Sequence, residues 1–375
     1  MFKITETSST GKARNGVLYT SHGAIQTPIF IPVGTQASVK AVQQPELVEK
    51  VKAQIILGNT YHLYLRPGCE IMEEAGGLHP FMNWNRPILT DSGGYQVYSL
   101  SEIREIEEDG VTFKSHLDGS KHQFTPENVV EIQRSLGSDI VMMLDECPPH
   151  PSTRDYVKTS MELTHRWAKR GRKAFLESKP KYGHQQSQFA ITQGGIEADL
   201  RKESTRFMVD LEPEGIAIGG LSVGEPIPDM YEMTDLSTDH IPESYPRYLM
   251  GVGKPENILE SVARGIDMFD CVIPTRNARN GMLFTRYGTV NILNAKWKHH
   301  HQPLDPDFPS DACRFYNMSY LHHLFKANEI LGLELASLHN LSFYLWLMEQ
   351  CRDKIAQNQF YNWYPSMTEQ LQKRL

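Results

Sequence analysis

The sequence predicts an α/β fold closed as a (β/α)8 TIM barrel, with a hairpin before the first barrel strand and an insertion after the eighth. Three observations carry this. Eight short apolar runs recur along the 375 residues, each ending in small or polar residues. Stretches with helical spacing separate most of them, and strand alternating with helix implies parallel crossovers. The length suits a single α/β barrel, which often exceeds the usual domain size.

The runs follow in order. They are IFIPVG (Ile29–Gly34), IILGN (Ile55–Asn59), ILTDSG (Ile88–Gly93), IVMMLDE (Ile140–Glu146), FAITQGG (Phe189–Gly195), IAIGG (Ile216–Gly220), YLMGVG (Tyr248–Gly253) and MFDCVIP (Met268–Pro274). Continuous apolar runs of this kind suit strands buried on both faces. Helical spacing is evident over Pro126–Leu136, Arg154–Leu176, Glu197–Leu211 and Pro255–Gly265. The rival is a doubly wound open sheet; a set of eight units favours the closed barrel. VLYTSHGAI, within Lys3 to Ile25, alternates around a turn and reads as the N-terminal hairpin. MLFTRYGTVNIL (Met282–Leu293) alternates around Tyr287-Gly288 and reads as a second hairpin. It runs into KWKHHHQPLDPDFPSDAC, which is too polar and proline-rich for a core element. The chain is therefore expected to be one barrel over 1–375 with a sub-domain at 282–345. The end, Ile330 to Leu375, is mostly helical in pattern.

Composition excludes several classes. Hydrophobic residues are 40% and charged residues 22% of the chain, ordinary for a globular protein. No apolar run approaches the roughly 20 residues that span a bilayer. Met1 to Arg14 is polar and has no apolar signal core, so a cytoplasmic location is expected. Five dispersed cysteines, an odd number, argue against a disulfide framework. A formal net charge of −7 gives no global attraction to nucleic acid. A local basic patch remains possible, because screening limits the reach of distant charges to about 8 Å.

In such a barrel the active site lies at the C-terminal ends of the strands. Strand three ends in Asp91-Ser92-Gly93-Gly94-Tyr95-Gln96, strand four in Asp145-Glu146-Cys147, strand five in Gln193-Gly194-Gly195 and strand six in Gly219-Gly220-Leu221-Ser222. Strand seven ends in Met250-Gly251; strand eight carries Asp270, followed by Arg276 and Arg279. One aspartate can attack an anomeric carbon. A second carboxylate can move protons to and from a leaving base. A third, beside a glutamine amide, can read a purine edge. Glycines admit a flat ring, and paired arginines suit phosphates. Taken singly these residues decide nothing. A lone strand-end aspartate is more often a helix cap, and Cys147 within an apolar strand is more often core than nucleophile. Three acids at one mouth shift the balance, because crowded carboxylates are unfavourable.

TDSGGYQVYSL (Thr90–Leu100), the LDE of strand four, QGG (Gln193–Gly195), GGLSVGE (Gly219–Glu225), MGVGKPE (Met250–Glu256) and GIDMFDCVIPTRNARNG (Gly265–Gly281) occur in that order. The set resembles the bacterial tRNA-guanine transglycosylases, from about Ile25 to Leu347. The resemblance implies exchange of the wobble guanine of tRNA for preQ1, in queuosine biosynthesis. It implies Asp270 as nucleophile and Asp91 as the proton-handling carboxylate. It implies Asp145, Gln193 and the backbone at Gly220 and Leu221 as hydrogen-bonding partners of the base. Tyr95 and Met250 would sandwich its ring, and Glu225 would fix the peptide at Leu221. Arg276 and Arg279, with Gly251 and Lys254 of MGVGKPE, would meet the anticodon loop at a U-G-U triplet. Cys147 and Val223 match a pocket for preQ1 rather than the bulkier queuine. A homodimer is implied too, and no metal or redox cofactor is needed for the reaction. Without the resemblance the rival is a retaining glycoside hydrolase, which would need an aromatic sugar platform; a non-catalytic RNA-binding homologue would have no reason to keep both Asp91 and Asp270.

The sequence departs from the family in one place. The family's structural zinc is held by Cys-x-Cys-x2-Cys and a later histidine. Here Phe308 and Ser310 replace two of the cysteines, leaving Cys313 and His339. Two ligands fall short of the four that structural zinc needs. The favoured reading is loss of the zinc, with Phe308 filling the space. The alternative recruits His299, His300, His301 or Asp311.

Overall fold

The computed structural model describes residues 1–100 and 104–375. Eight short parallel strands form its centre. In chain order they are Ile29–Ile31, Ile56–Gly58, Ile88–Thr90, Ile140–Met142, Ser187–Thr192, Gly215–Ile218, Arg247–Leu249 and Met268–Asp270, here barrel strands one to eight. Each pairs in parallel with its sequence neighbour, and strand eight pairs back onto strand one through Met268–Ile29, Phe269–Phe30 and Asp270–Ile31. Strands one and two close the ring beyond their regular ends. Val33 pairs with Leu57, the Gly34 amide donates to the Leu57 carbonyl at 2.7 Å, and the Leu57 amide donates to the Pro32 carbonyl at 3.0 Å. Every expected run supplies a strand, so the closed barrel prevails over the open sheet.

The helices sit where apolar periodicity placed them. Pro126–Leu136 is helical over the expected span. Its Thr125 cap accepts from the Asn128 amide, and Gly137 ends it at a left-handed φ of 69°. Arg154–Glu177, Ala198–Asp210 and Pro255–Ala263 follow. No helix among the described residues is long and apolar enough to cross a membrane.

Three features depart from the reading of the sequence. The N-terminal hairpin, Arg14–Thr20 with Gly23–Thr27, gains a third antiparallel strand at Phe2–Thr7. This sheet lies under the barrel: Arg14 makes a buried two-pronged pair with Asp267 at 3.0 and 2.6 Å, just before strand eight. A second antiparallel sheet, Arg104–Glu107, Gly110–Lys114 and Lys121–Phe124, is inserted between strands three and four and was not anticipated. Its inward residues Val111, Phe113 and Phe124 are buried. The hairpin Met282–Thr285 with Gly288–Asn291 forms as expected. The segment after it is not wholly surface, because Leu304, Asp305 and Phe308 are buried. The Asp305 carboxylate is neutralised by the Arg286 guanidinium at 2.7 Å, which makes its burial tolerable. The helices Ile330–Ala356 and Phe360–Leu371 complete the chain.

Candidate active site

The three aspartates converge at the C-terminal mouth, each held differently. Asp270, the last residue of strand eight, accepts two bonds on one oxygen. The Tyr248 hydroxyl donates to Oδ1 at 2.6 Å and the Gly251 amide donates to it at 3.0 Å. Oδ2 has no hydrogen-bond partner among the described residues. Burial raises the Asp270 carboxyl above its ordinary range, and these two donors work against that rise.

Asp91 follows strand three and is 7% exposed. Its carboxylate takes the Asn59 amide on Oδ2 at 2.5 Å and the Thr60 amide on Oδ1 at 2.8 Å. Asn59 and Thr60 leave strand two, so Asp91 is fixed from the neighbouring strand. Burial pushes its carboxyl up to about 6; Asn59 and Thr60 oppose the rise, and the negative charge of Asp270 adds to it.

Asp145 receives the Ser92 hydroxyl on Oδ1 at 3.0 Å and the Gln193 amide on Oδ2 at 2.7 Å. It is partly accessible, but the mouth encloses it deeply enough for desolvation to raise its carboxyl to about 6. Asp145 and Gln193 therefore do come together. The amide that reads as a contact for a base is turned onto the carboxylate, leaving Gln193 Oε1 buried and unpaired. Cys147 lines the same wall beside the Gly220 amide. Burial drives its thiol up to about 12, so it is a neutral wall group and not a nucleophile.

Loop geometry around strand six shapes the rest. Gly220 has φ of 66°, the left-handed region that favours glycine, and a Cβ there would lie 2.4 Å from Gln193 Oε1 and force that amide to move. Glu225 accepts from the Ser222 amide and, at 2.9 Å, from the Val223 amide. In a trans peptide the N–H and C=O point opposite ways. Holding the Ser222 N–H therefore aims the Leu221 carbonyl away from Glu225. Ser222 itself sits at a φ of 61°, a conformation rare outside glycine.

Beneath this loop lies a group the sequence did not reveal. Arg201 is fully buried, with no carboxylate partner. It donates to the carbonyls of Gly219 at 2.8 Å and Gly195 at 2.6 Å, tying the ends of strands five and six together. Fixing the Gly219 carbonyl also fixes the Gly220 N–H on the opposite side of that peptide. Arg201→Met would strand these carbonyls at about 1–3 kcal/mol each. The expected result is a loss of roughly 3 kcal/mol in unfolding free energy, with a base KM raised about tenfold. Denaturant titration and base-exchange kinetics measure both; an unchanged KM in the folded variant would refute the role.

The remaining expected site residues lie on the rim. Tyr95, on the helix Gly94–Leu100, is 52% exposed. Met250 packs partly into the core beyond strand seven. Gly251 and Lys254 are exposed. Arg276 and Arg279 lie on the short helix Ile273–Arg279. Arg276 is exposed, whereas Arg279 keeps a buried Nη1 with no partner among the described residues. Burial and the adjacent Arg276 both lower the Arg279 pKa.

The surviving family metal ligands do meet. Cys313 Sγ lies 3.6 Å from His339 Nδ1, and Ser310 Oγ lies 2.8 Å from the same nitrogen. The buried Phe308 ring stands 5.4 Å from the His339 ring. A thiol, an imidazole, a hydroxyl and a benzyl group do not make a tetrahedral zinc set. Two of the alternative ligands are engaged elsewhere: His301 Nδ1 bonds Ser319 Oγ at 3.0 Å, and Asp311 pairs with Lys50 at 2.6 Å.

Comparison with known proteins places nearly the whole chain within one family. The family model described as queuine tRNA-ribosyltransferase matches residues 8–373. A queuine tRNA-ribosyltransferase of Caldanaerobacter subterraneus subsp. tengcongensis is 56% identical over 95% of this chain and 94% of its own. One from Herpetosiphon aurantiacus is 54% identical, covering 96% of this chain and 90% of its own. One from Desulforapulum autotrophicum is 53% identical over 96% of each chain.

Proposed function

The chain belongs to the queuine tRNA-ribosyltransferase family of pentosyltransferases, and from that premise we propose that it exchanges the wobble guanine of G-U-N anticodon tRNAs for preQ1 through a covalent Asp270–ribose intermediate. The observation that carries this reading is the asymmetry of Asp270. Two donors hold Oδ1, and Oδ2 is left for attack. Attack on ribose C1′ forms a C–O ester bond and breaks the bond to N9 of guanine, whose electron pair takes a proton from Asp91. The incoming base then returns that proton to Asp91 as its N9 attacks C1′ and expels Asp270. Two displacements retain configuration, as in retaining glycosidases.

Asp145 supplies an acceptor for the N–H edge of guanine, and Gln193 is free to swing its amide onto the base when Asp145 takes that edge. The Leu221 carbonyl, directed by Glu225, suits the ammonium of an aminomethyl substituent, which preQ1 carries and guanine lacks. The partly buried guanidinium of Arg279, beside Arg276, suits an RNA phosphate near the U-G-U triplet. Tyr95 and Met250 are proposed to enclose the ring on opposite faces. The proposal extends to a homodimer, to be tested by light scattering, and to loss of the family zinc at Cys313 and His339.

The reading is tested by exchange of radiolabelled guanine into unmodified tRNA with a G-U-N anticodon, competed by preQ1. Incorporation that preQ1 suppresses supports it; no incorporation by folded protein would refute it. Pocket size makes a separate prediction. Val223→Gly is expected to admit queuine, which the parent excludes, with exchange of guanine retained. Continued exclusion of queuine by the folded variant would defeat the pocket argument.

A further inference from the structure

Opposite the mouth, at the barrel floor, three histidines from distant segments meet around one carboxylate. His22 lies in the turn between the second and third N-terminal strands. His79 lies in the helix Leu78–Met82 after strand two, and His184 in the loop before strand five. One ring nitrogen from each falls within 4.8 Å of the others. Asp139, fully buried just before strand four, stands among them.

Each ring is oriented through its other nitrogen. His22 Nδ1 bonds Asp139 Oδ1 at 2.9 Å. His79 Nδ1 bonds the Trp84 carbonyl at 2.9 Å, and His184 Nε2 bonds the Gly137 carbonyl at 3.0 Å. A carbonyl only accepts, so His79 Nδ1 and His184 Nε2 carry the protons. Their lone pairs therefore sit on His79 Nε2 and His184 Nδ1. Donation of the far ring nitrogen to a carbonyl or carboxylate is the outer-shell arrangement that metal-binding histidines use.

His79 Nε2 supplies the second observation. It is buried and has no hydrogen-bond partner, yet it faces Asp139 Oδ2 at 3.2 Å. The contact is too misaligned for a proton to bridge it well. With His79 neutral, its lone pair against a carboxylate oxygen is repulsive unless a cation lies between or beside them. We propose that His22, His79 and His184 form a site for a borderline divalent cation such as Zn2+, with Asp139 or water completing the set. Imidazole ligands suit this class of ion. A tetrahedral ion with bonds of about 2.0–2.1 Å needs its nitrogens roughly 3.4 Å apart. The partly exposed rings of His22 and His184 would shift within their hydrogen bonds to reach this spacing around the buried His79. The stacked His22 and His79 rings, with centroids 3.6 Å apart, would tilt on binding. The ion would fasten the N-terminal sheet to the barrel floor, far from the chemistry.

Co2+ added to metal-free, untagged full-length protein tests the proposal. The expected result is one ion per chain at micromolar Co2+, with the visible absorption of a four-coordinate site and no thiolate charge-transfer band. His184→Gln and His22→Gln should each weaken binding at least about tenfold and abolish the rise in melting temperature that Zn2+ gives the parent, with guanine exchange retained. Cys313→Ser should leave the spectrum unchanged. No stoichiometric binding, which would leave only a hydrogen-bonded histidine cluster, overturns the proposal. So does a thiolate band lost in Cys313→Ser, or undiminished binding in both histidine variants.

Discussion

Asp270→Asn is expected to lower base exchange by about 10⁴-fold or more, the scale on which loss of a covalent nucleophile is felt, while leaving the fold intact. The second half of this expectation comes from geometry. Both donors to Asp270, the Tyr248 hydroxyl and the Gly251 amide, end on Oδ1. An asparagine keeps that oxygen and its two bonds and changes only the atom that attacks. An amide nitrogen there is a poor nucleophile because its lone pair is delocalised. The variant should still bind tRNA, should form no denaturant-stable adduct with it, and should melt at or slightly above the parent temperature, since a carboxylate held above its ordinary range is itself destabilising. An adduct that survives in Asp270→Asn would reassign the nucleophile, with Asp91 the next candidate.

The three aspartates of the mouth were legible in the sequence because topology does the positioning. An aspartate directly after an apolar run at the end of a barrel strand has nowhere to go but the mouth. Asp91, Asp145 and Asp270 needed only correct strand assignment. What holds them was not legible. Asn59 and Thr60 reach Asp91 from 31 to 32 residues away, and no local pattern records such a pairing. Arg201 stands in a helix among charged neighbours, where it looks solvated. Its burial follows from the way this helix packs under strands five and six. The sheet inserted after strand three escaped notice because REIEEDGVTFK is dominated by charge. Its apolar residues alternate over stretches too short to outweigh the acidic turn. The burial of Asp305 in a polar segment depends on Arg286, 19 residues earlier, and the histidine cluster at the floor draws on four separate loops and helices.

Asp91→Asn isolates the proton-transfer role and has a pH signature of its own. Loss of a positioned acid and base is expected to reduce exchange by about 10²–10⁴-fold. In the parent, Asp91 holds its proton up to about pH 6, close enough to neutrality for one group to give a proton and take it back. Asp145 must be ionised to accept N–H groups from the base, and burial raises it to about 6 as well. Parent kcat/KM should therefore fall as pH drops below about 6. The variant should keep this acid limb, which belongs to Asp145, and lose the fall in kcat above about pH 6 caused by depletion of protonated Asp91. Stability should move the opposite way. A carboxyl whose pKa is raised on folding binds more protons in the native state than in the unfolded chain between about pH 4 and pH 6. Its contribution is most favourable below that window and is lost as pH rises through it. Replacing Asp91 by asparagine removes this penalty. The unfolding free energy of the variant should gain on the parent by about 2 kcal/mol between pH 4.5 and pH 7, most of the linkage that a pKa raised by about two units provides. Denaturant titrations of both proteins across that range measure the difference. A gap that stays flat with pH would mean that Asp91 is ionised throughout and cannot be the acid.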